Sequence, residues 1–240
     1  MKPALAIAKR ELKSSFNSPV AYVLIVGFLF LTSIWLYFVE SFFAVGEADL
    51  KGYFTLMPIA FAFLVPALTM RSWAEERRLG TYEVLLTMPF TETDLVLGKF
   101  LSVFIVVLIA LLFSLPVPLT AAWVGSFDAG LIASQYLCVI LIAALAAALG
   151  EWVSSLAKNQ VSAYIGASIL IILFAFIDRL GSFFRLSGAA ASVANWLSFV
   201  YHSDSLMKGL FDSRDFAYFL LVTVFFLYLT GWNVRRRKWS

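Results

Sequence analysis

The sequence predicts an all-α integral membrane protein, with six transmembrane helices, a basic helix ahead of the first and short helices ahead of the last. Three observations lead there. Of 240 residues, 62% are hydrophobic and 14% charged, against about 25% charged in a soluble domain, so the chain holds more apolar surface than a water-exposed fold can bury. Six segments reach the roughly 17–20 apolar residues that a helix needs to cross the hydrocarbon. Most Lys and Arg residues, finally, fall on one side of those segments.

The first element is residues 1–18, where Leu5, Ala8, Leu12 and Phe16 recur at helical spacing and Lys9, Arg10, Lys13 and Asn17 take other faces. The pattern predicts a helix in the headgroup layer, its apolar stripe toward the acyl boundary and its cations against anionic lipid; an ordinary cytoplasmic tail is the alternative. Charges run through the segment without a central apolar stretch, so a cleavable signal peptide is not expected. Asn17-Ser18-Pro19 caps the first span with proline in its first turn. The spans are Pro19–Val39, Phe54–Met70, Phe100–Ala122, Leu131–Val153, Val161–Ile177 and Phe216–Trp232, helical because backbone groups in hydrocarbon must pair within their own segment. Pro58 and Pro66 in the second, and Pro116 and Pro118 in the third, are expected to kink those helices. In the fourth, Ala143 with Ala147 and Ala146 with Gly150 are small residues four apart, which lets two helix backbones approach closely, within the chain or between copies.

Loop charges set the orientation. Lys2, Lys9, Arg10 and Lys13 precede the first span; Arg71, Arg77, Arg78 and Lys99 follow the second; Lys158 follows the fourth; Arg235, Arg236, Arg237 and Lys238 follow the sixth. Only Lys51, Arg179, Arg185, Lys208 and Arg214 are left for the other side. Both termini and the 74–94 loop are therefore expected in the cytoplasm.

Several chemistries fall away. One cysteine, Cys138, and one histidine, His202, exclude an internal disulfide, a cysteine metal cluster, paired-histidine haem ligation and most zinc sites. No G-x-x-x-x-G-K-[ST] occurs, so the chain has no P-loop for nucleotide. An intramembrane serine protease would need Ser168 and His202 to face one another, yet the spans put His202 in an outer loop. A gradient-driven carrier would need ionisable groups in mid-membrane. Here Glu40, Arg71, Lys99, Glu151, Asp178 and Arg179 sit at span edges, leaving Thr32, Ser33, Ser102, Ser114, Gln135, Ser168 and Thr223 inside.

The 74–94 loop, AEERRLGTYEVLLTMPFTETD, has more internal order than a connector needs. Gly80 or Thr81 can cap a short helix, Thr81–Met88, with Tyr82, Leu85 and Leu86 on one side and Glu83 and Thr87 on others. Pro89 ends it, and Thr91-Glu92-Thr93-Asp94 supplies a capping box for the third span. An exposed apolar face on so small an element calls for a partner, and Glu75, Glu76, Arg77 and Arg78 beside it point to a protein surface with both signs of charge. Exposed ion pairs contribute roughly 0–1 kcal/mol, so charge reversal at Arg77 alone is expected to be mild.

Glu75-Glu76-Arg77, Gly80-Thr81, Leu85-Leu86 and Pro89, following the second of six spans, resemble the acidic–Gly-Thr–Leu-Leu–Pro signature of the ABC-2 type transporter permeases. The resemblance implies that this stretch is a coupling helix, docking into a cleft of a separate ATP-hydrolysing subunit, with Glu75, Glu76, Arg77, Arg78, Gly80, Thr81, Tyr82, Leu85, Leu86 and Pro89 as the coupling residues. It implies two permease subunits, the same or a related chain, in a bacterial cytoplasmic membrane with two ABC ATPase subunits that bind ATP and Mg. This chain would then carry no cofactor, metal or catalytic residue, and would meet membrane lipid but no nucleic acid. An outer-side accessory or substrate-binding protein is a further partner the resemblance leaves room for. The implied function is ATP-driven export; a subunit that transmits force to an outer partner without moving a solute is the alternative. The cargo is not written in the sequence.

A second stretch, YHSDSLMKGLFDSRDFAYF at 201–219, is similar to the gliding-motility and copper-enzyme-maturation branch of these permeases at Tyr201-His202, Gly209, Asp212, Arg214-Asp215 and Tyr218-Phe219, as is the tail Arg235-Arg236-Arg237-Lys238-Trp239. By their own chemistry, Asp212 can cap the last span with Asp215 in its first turn, where the helix dipole favours anions. Residues 186–200 are amphipathic but too short to cross, and Trp196 and Phe199 suit the outer interface. The resemblance implies re-entrant or interfacial helices within 178–215, with His202, Gly209, Asp212, Arg214 and Asp215 at an outer gate.

Overall fold

A computed structural model describes residues 2–39, 50–81, 90–124, 128–183 and 188–238, in which helices are joined by turns and no strand occurs. Helix α1 (Lys2–Asn17) meets α2 (Pro19–Ile34, continued by a π-helical stretch Trp35–Val39) at Ser18, whose hydroxyl accepts the Val20 N–H. Next come α3 (Lys51–Thr69) and the short α4 (Ala74–Arg78). The third span is α5 (Glu92–Ser114), which turns at Leu115 into α6 (Pro116–Val124). The fourth is α7 (Ala129–Leu156) and the fifth α8 (Gln160–Phe183); α9 (Ala189–Leu197) and α10 (Phe199–Met207) precede the sixth, α11 (Ser213–Lys238). Six of these helices are long and apolar enough to cross a membrane, and the protein is a multi-pass, all-helical membrane protein.

The turn chemistry fixes where the helices begin and break. Asp94 donates its N–H to Thr91 Oγ1 at 3.2 Å, and the Thr91 N–H reaches back to Asp94 Oδ2 at 3.3 Å. This reciprocal box starts α5 at Glu92, well before the apolar run at Phe100, and so places Lys99 on a helix. Pro58 and Pro66 stay inside α3, whereas Pro116 and Pro118 follow the turn at Leu115 that breaks the third span. The fifth span departs from helical geometry at Phe176 (φ −122°, ψ 17°).

Helix α7 is the centre, with α3, α5, α8, α10 and α11 packed around it. Its Ala143, Ala146, Ala147 and Gly150 are buried, and the small-residue stripe is used inside the chain. A Cβ on Gly150 would lie 2.4 Å from Thr69 Oγ1 and 2.9 Å from Thr69 Cγ2, so only glycine admits α3 at this distance. Helices α2 and α8 instead turn Val23, Val26, Phe30, Ile165 and Ile169 outward, the apolar surface that a bilayer requires.

Three sequence expectations are corrected. The Leu5–Ala8–Leu12–Phe16 stripe of α1 does not face lipid as a unit: Ala4, Ile7 and Ala8 are buried, α1 lies against α5, and Leu5 alone is 59% exposed. The cause is Gly98, where a Cβ would sit 2.6 Å from Ile7 Cγ2 and 2.9 Å from Ala4 O. With no side chain at Gly98, α1 seats Ile7 directly on the α5 backbone, and that register brings Glu11 to Lys99. Phe199 is buried against Phe174, ring centroids 5.7 Å apart, and does not lie at the outer interface with the exposed Trp196; its neighbour Ser198 is tied to α8. His202 belongs to no loop but to α10, where it is buried.

Gly150→Ala should destabilise the protein by about 1–3 kcal/mol through overpacking, set against the gain of up to about 1 kcal/mol from alanine's helix propensity. Thermal melts in detergent should show the loss, with Thr69→Ala restoring most of it. Gly27→Ala, where a Cβ meets nothing within 4 Å, should be neutral or stabilising.

Candidate functional site

Between α3 and α5 the chain turns through Met70–Trp73 into α4. A helix start leaves N–H groups without intrahelical partners, and α4 has no side-chain cap of its own. The cap comes from α7: Ser154 Oγ accepts the N–H groups of Trp73 and Ala74 at 3.2 and 3.3 Å. The debt is returned at the other end of the same contact. Arg77 donates Nη1 to Ala157 O at 2.8 Å and Nη2 to Ser155 O, carbonyls at the C-terminus of α7, where orphan acceptors and the negative end of the dipole attract a cation. From α11, Asn233 Nδ2 joins at Ser155 O (2.8 Å) and Ser155 Oγ (3.0 Å).

Trp73 and Glu151 pin this junction. The indole Nε1 donates to Glu151 Oε2 at 2.6 Å and the Ser72 hydroxyl to the same oxygen at 2.9 Å; both Trp73 and Glu151 are fully buried. Lys99 Nζ lies 5.2 Å from the Trp73 ring centroid, a cation–π contact. Its side chain is 2% exposed and bridges Glu76 Oε1 at 3.3 Å and Glu11 Oε1 at 3.5 Å, while Arg10 meets Glu11 at 2.7 Å. A buried ammonium demands such counter-charges, and here they come from α1 and α4, on either side of α5. The Glu11 carboxyl lies below its ordinary range: burial, the largest single influence, pushes it up, but Lys99 and Arg10 together push it further down.

Gly80 closes α4. With φ +70° it donates to Arg77 O at 3.2 Å, and Thr81 N–H donates to Glu76 O at 3.0 Å, the paired bonds of a Schellman motif that needs a left-handed residue. Thr81 Oγ1 also donates to Glu76 Oε2 at 2.5 Å. Of the four charges proposed from sequence to orient a partner, Glu76 and Arg77 are thus engaged inside the chain. Arg78 is exposed and Glu75 half-buried, and neither makes a side-chain hydrogen bond or ion pair among the described residues. Tyr82, Leu85, Leu86 and Pro89, with the Thr81–Met88 helix beyond its first residue, lie outside the described residues. Sequence reasoning missed Trp73, Glu151, Ser154 and Asn233. A lone acid, Glu151, directly after the small-residue run Ala143–Gly150 was the signal available, and a tryptophan close to an acid pair the second.

The outer residues form a separate cluster. His202 Nδ1 lies 2.8 Å from Asp215 Oδ1 and Nε2 lies 3.0 Å from Trp196 O; its ring stacks on Tyr218 at 3.9 Å, and Tyr218 donates its hydroxyl to Leu197 O at 2.8 Å. Asp212 Oδ1 accepts the Arg214 N–H at 2.8 Å, capping α11, and Arg214 is exposed. Gly209, φ +78°, closes α10 by a second Schellman pair, Gly209 N–H to Leu206 O and Leu210 N–H to Ser205 O. Ser198 Oγ reaches Asp178 Oδ1 at 2.8 Å and, beside the distortion at Phe176, Ala175 O at 3.1 Å. Both imidazole nitrogens of His202 are committed, so the ring is not free to act as a base toward Ser168. Inside the spans, Thr32, Ser102, Ser114 and Thr223 donate to carbonyls three or four residues back, which satisfies them locally.

Six apolar helices centred on α7, with a polar junction at one end and a pinned helical cap near the other, define a helical membrane subunit. Residues 5–201 match the family described as ABC-2 family transporter protein, and the chain belongs to that family, as a membrane-spanning permease subunit. The match stops short of the last span, so His202, Gly209, Asp212, Arg214 and Asp215 lie outside it. No curated protein matches the chain.

Arg77 is corrected as well: it is half-buried, and its guanidinium serves two carbonyls at a helix end. Hydrogen bonds to charged groups contribute about 1.5–3 kcal/mol, so Arg77→Ala should cost about 2–3 kcal/mol in a detergent melt, with Arg78→Ala within about 0.5 kcal/mol of wild type. The depressed Glu11 carboxyl adds stability at neutral pH that is lost as pH falls through its folded value. Glu11→Gln should therefore melt below wild type at pH 7, and the gap should narrow as pH falls below the ordinary 4.5 and close below the depressed folded value; a gap constant with pH would refute the assignment.

Proposed function

We propose that the chain is the permease half of an ATP-driven exporter, receiving the work of a separate ABC ATPase through the 74–94 loop. Supporting this is the junction at α4: a loop tied to α5 and α7 through Trp73, Glu76 and Arg77, with Arg78 left exposed, is built to pass force from a docked surface into the bundle. Two permease subunits, of this chain or a related one, would pair with two ATPase subunits that hold ATP and Mg, in keeping with the way this family assembles. Positive charge at the α4 end and at both termini favours the cytoplasmic side of a bacterial inner membrane for all three. Within the family, residues 201–219 and the basic tail favour the gliding-motility and copper-enzyme-maturation branch. Tyr82, Leu85 and Leu86 would fill the ATPase cleft, and His202, Asp212 and Asp215 would hold the outer gate.

Affinity purification from the native membrane in mild detergent, with mass spectrometry and an ATPase assay, tests the pairing. A P-loop ATPase should co-purify and be weakened by tenfold or more by Leu85→Asp, a charge in the centre of an apolar contact, while the variant stays inserted. Unchanged ATPase binding and activity in that variant would remove the loop from the coupling role. Stimulation of the ATPase by added cargo would favour export over force transmission.

A further inference from the structure

Glycines inside the membrane helices have visible reasons at two places. Gly98 receives α1 and Gly150 receives Thr69, and at both a Cβ would collide with a neighbour. Gly231 of α11 has no such reason: a Cβ there would meet nothing within 4 Å, although glycine in mid-helix is less favourable than alanine. The missing side chain opens onto a groove of about 300 Å³ between α5 and α11. Val96 and Leu227 lie within it, and Leu97, Tyr228 and Trp232 form exposed walls. Thr93 and Arg235 stand at one end.

The groove has the dimensions of one leaflet. Its α11 side runs from Val224 through Tyr228 and Gly231 to Arg235, a spacing of three or four residues that keeps one face of the helix. The eleven steps from Val224 to Arg235, at about 1.5 Å each, span roughly 16 Å, about half of a hydrocarbon core of about 30 Å. The end that carries Thr93 and Arg235 is the end of the bundle where basic residues collect. Arg235 makes no hydrogen bond or ion pair among the described residues, and the next cation, Arg236, sits 5.7 Å from the Trp232 ring. Asp94, the nearby carboxylate on α5, is committed to the capping box with Thr91.

We propose that this groove is a binding site for an anionic phospholipid of the cytoplasmic leaflet, one acyl chain lying in the notch at Gly231 and the phosphate at Arg235 and Thr93. The site takes its leaflet from the cytoplasmic placement of the C-terminus and is independent of ATPase pairing. An unpaired guanidinium at the headgroup level supplies the charge preference, and Trp232, one turn in from Arg235, suits the interface. The occupant would wedge α5, which carries Lys99 of the junction, against α11, which carries Asn233.

The test uses the full chain in mild detergent, stripped of lipid and titrated with phosphatidylglycerol or phosphatidylcholine, with bound lipids counted by native mass spectrometry. Wild type should hold one phosphatidylglycerol more tightly than phosphatidylcholine. Arg235→Gln, a substitution at an exposed position, should reduce that preference by about fivefold, the equivalent of one cation near an anionic surface. Gly231→Leu, whose side chain enters open space, should abolish the tight site for both lipids, while Gly27→Leu outside the groove should leave it intact. Equal affinity of wild type for the two lipids would overturn the proposal, as would a tight phosphatidylglycerol retained by Gly231→Leu. Loss of a dimer in Gly231→Leu with lipid binding unchanged would also overturn it, and would give the face to a second copy of the chain.

Discussion

A helix end out of water is a problem of unpaired backbone groups, and the polar junction of this protein depends on how two such ends solve it together. The first N–H groups at α4 find Ser154 of α7, and the last carbonyls of α7 find Arg77 of α4. Neither end is complete alone. A cap contributes about 0.5–2 kcal/mol and a charged hydrogen bond about 1.5–3 kcal/mol, so the pair of ends holds the short α4 far more firmly than five residues of helix could hold themselves. What leaves the bundle as a loop between the second and third spans is therefore anchored chiefly to the fourth.

Around that anchor the chain buries charge, which it does nowhere else so densely among the described residues. Lys99 sits between Glu11 and Glu76 and over Trp73, and Glu151 takes two donors on one oxygen while the other has no hydrogen-bond partner. Burying an ion is costly and removing one partner of a buried pair costs about 3–5 kcal/mol, so these residues specify a single arrangement of α1, α4 and α5. The N-terminal helix thereby becomes part of the junction: Gly98 lets it approach and Glu11 fixes its rotation. Helix α4 is thus tied to α5 through Lys99 and to α7 through Trp73 and Arg77.

Hydropathy alone carried the number and order of spans, because a bilayer forces apolar length into helices and leaves few alternatives. Local capping chemistry was equally legible: Ser18, Thr91 with Asp94, and Asp212 act where their spacing put them, since a cap is a matter of two to four residues. Contacts between segments were not. The rotation of α1 depends on Gly98, ninety residues away, so the periodicity of α1 pointed Leu5 and Ala8 the same way when only one of them is buried. Phe199 reads as an interfacial aromatic until Ser198 is seen bound to α8. Arg77 reads as a surface charge because nothing in its neighbourhood announces that the fourth helix ends beside it. Gly80 reads as a boundary from sequence, and its positive φ closes α4.

The partners that complete the α4 junction on α7 arrive late in synthesis. Arg77 waits for Ala157, 80 residues further on, and at about 5–20 residues per second a ribosome needs roughly 4–16 s to supply them. Asn233 comes later still. During that interval the second and third spans are already in the bilayer, yet the segment between them lacks its cap and the carbonyls that will receive its arginine. The junction end of this subunit acquires its final form only after the fourth helix has been made, so the order of synthesis sets when its contacts can close.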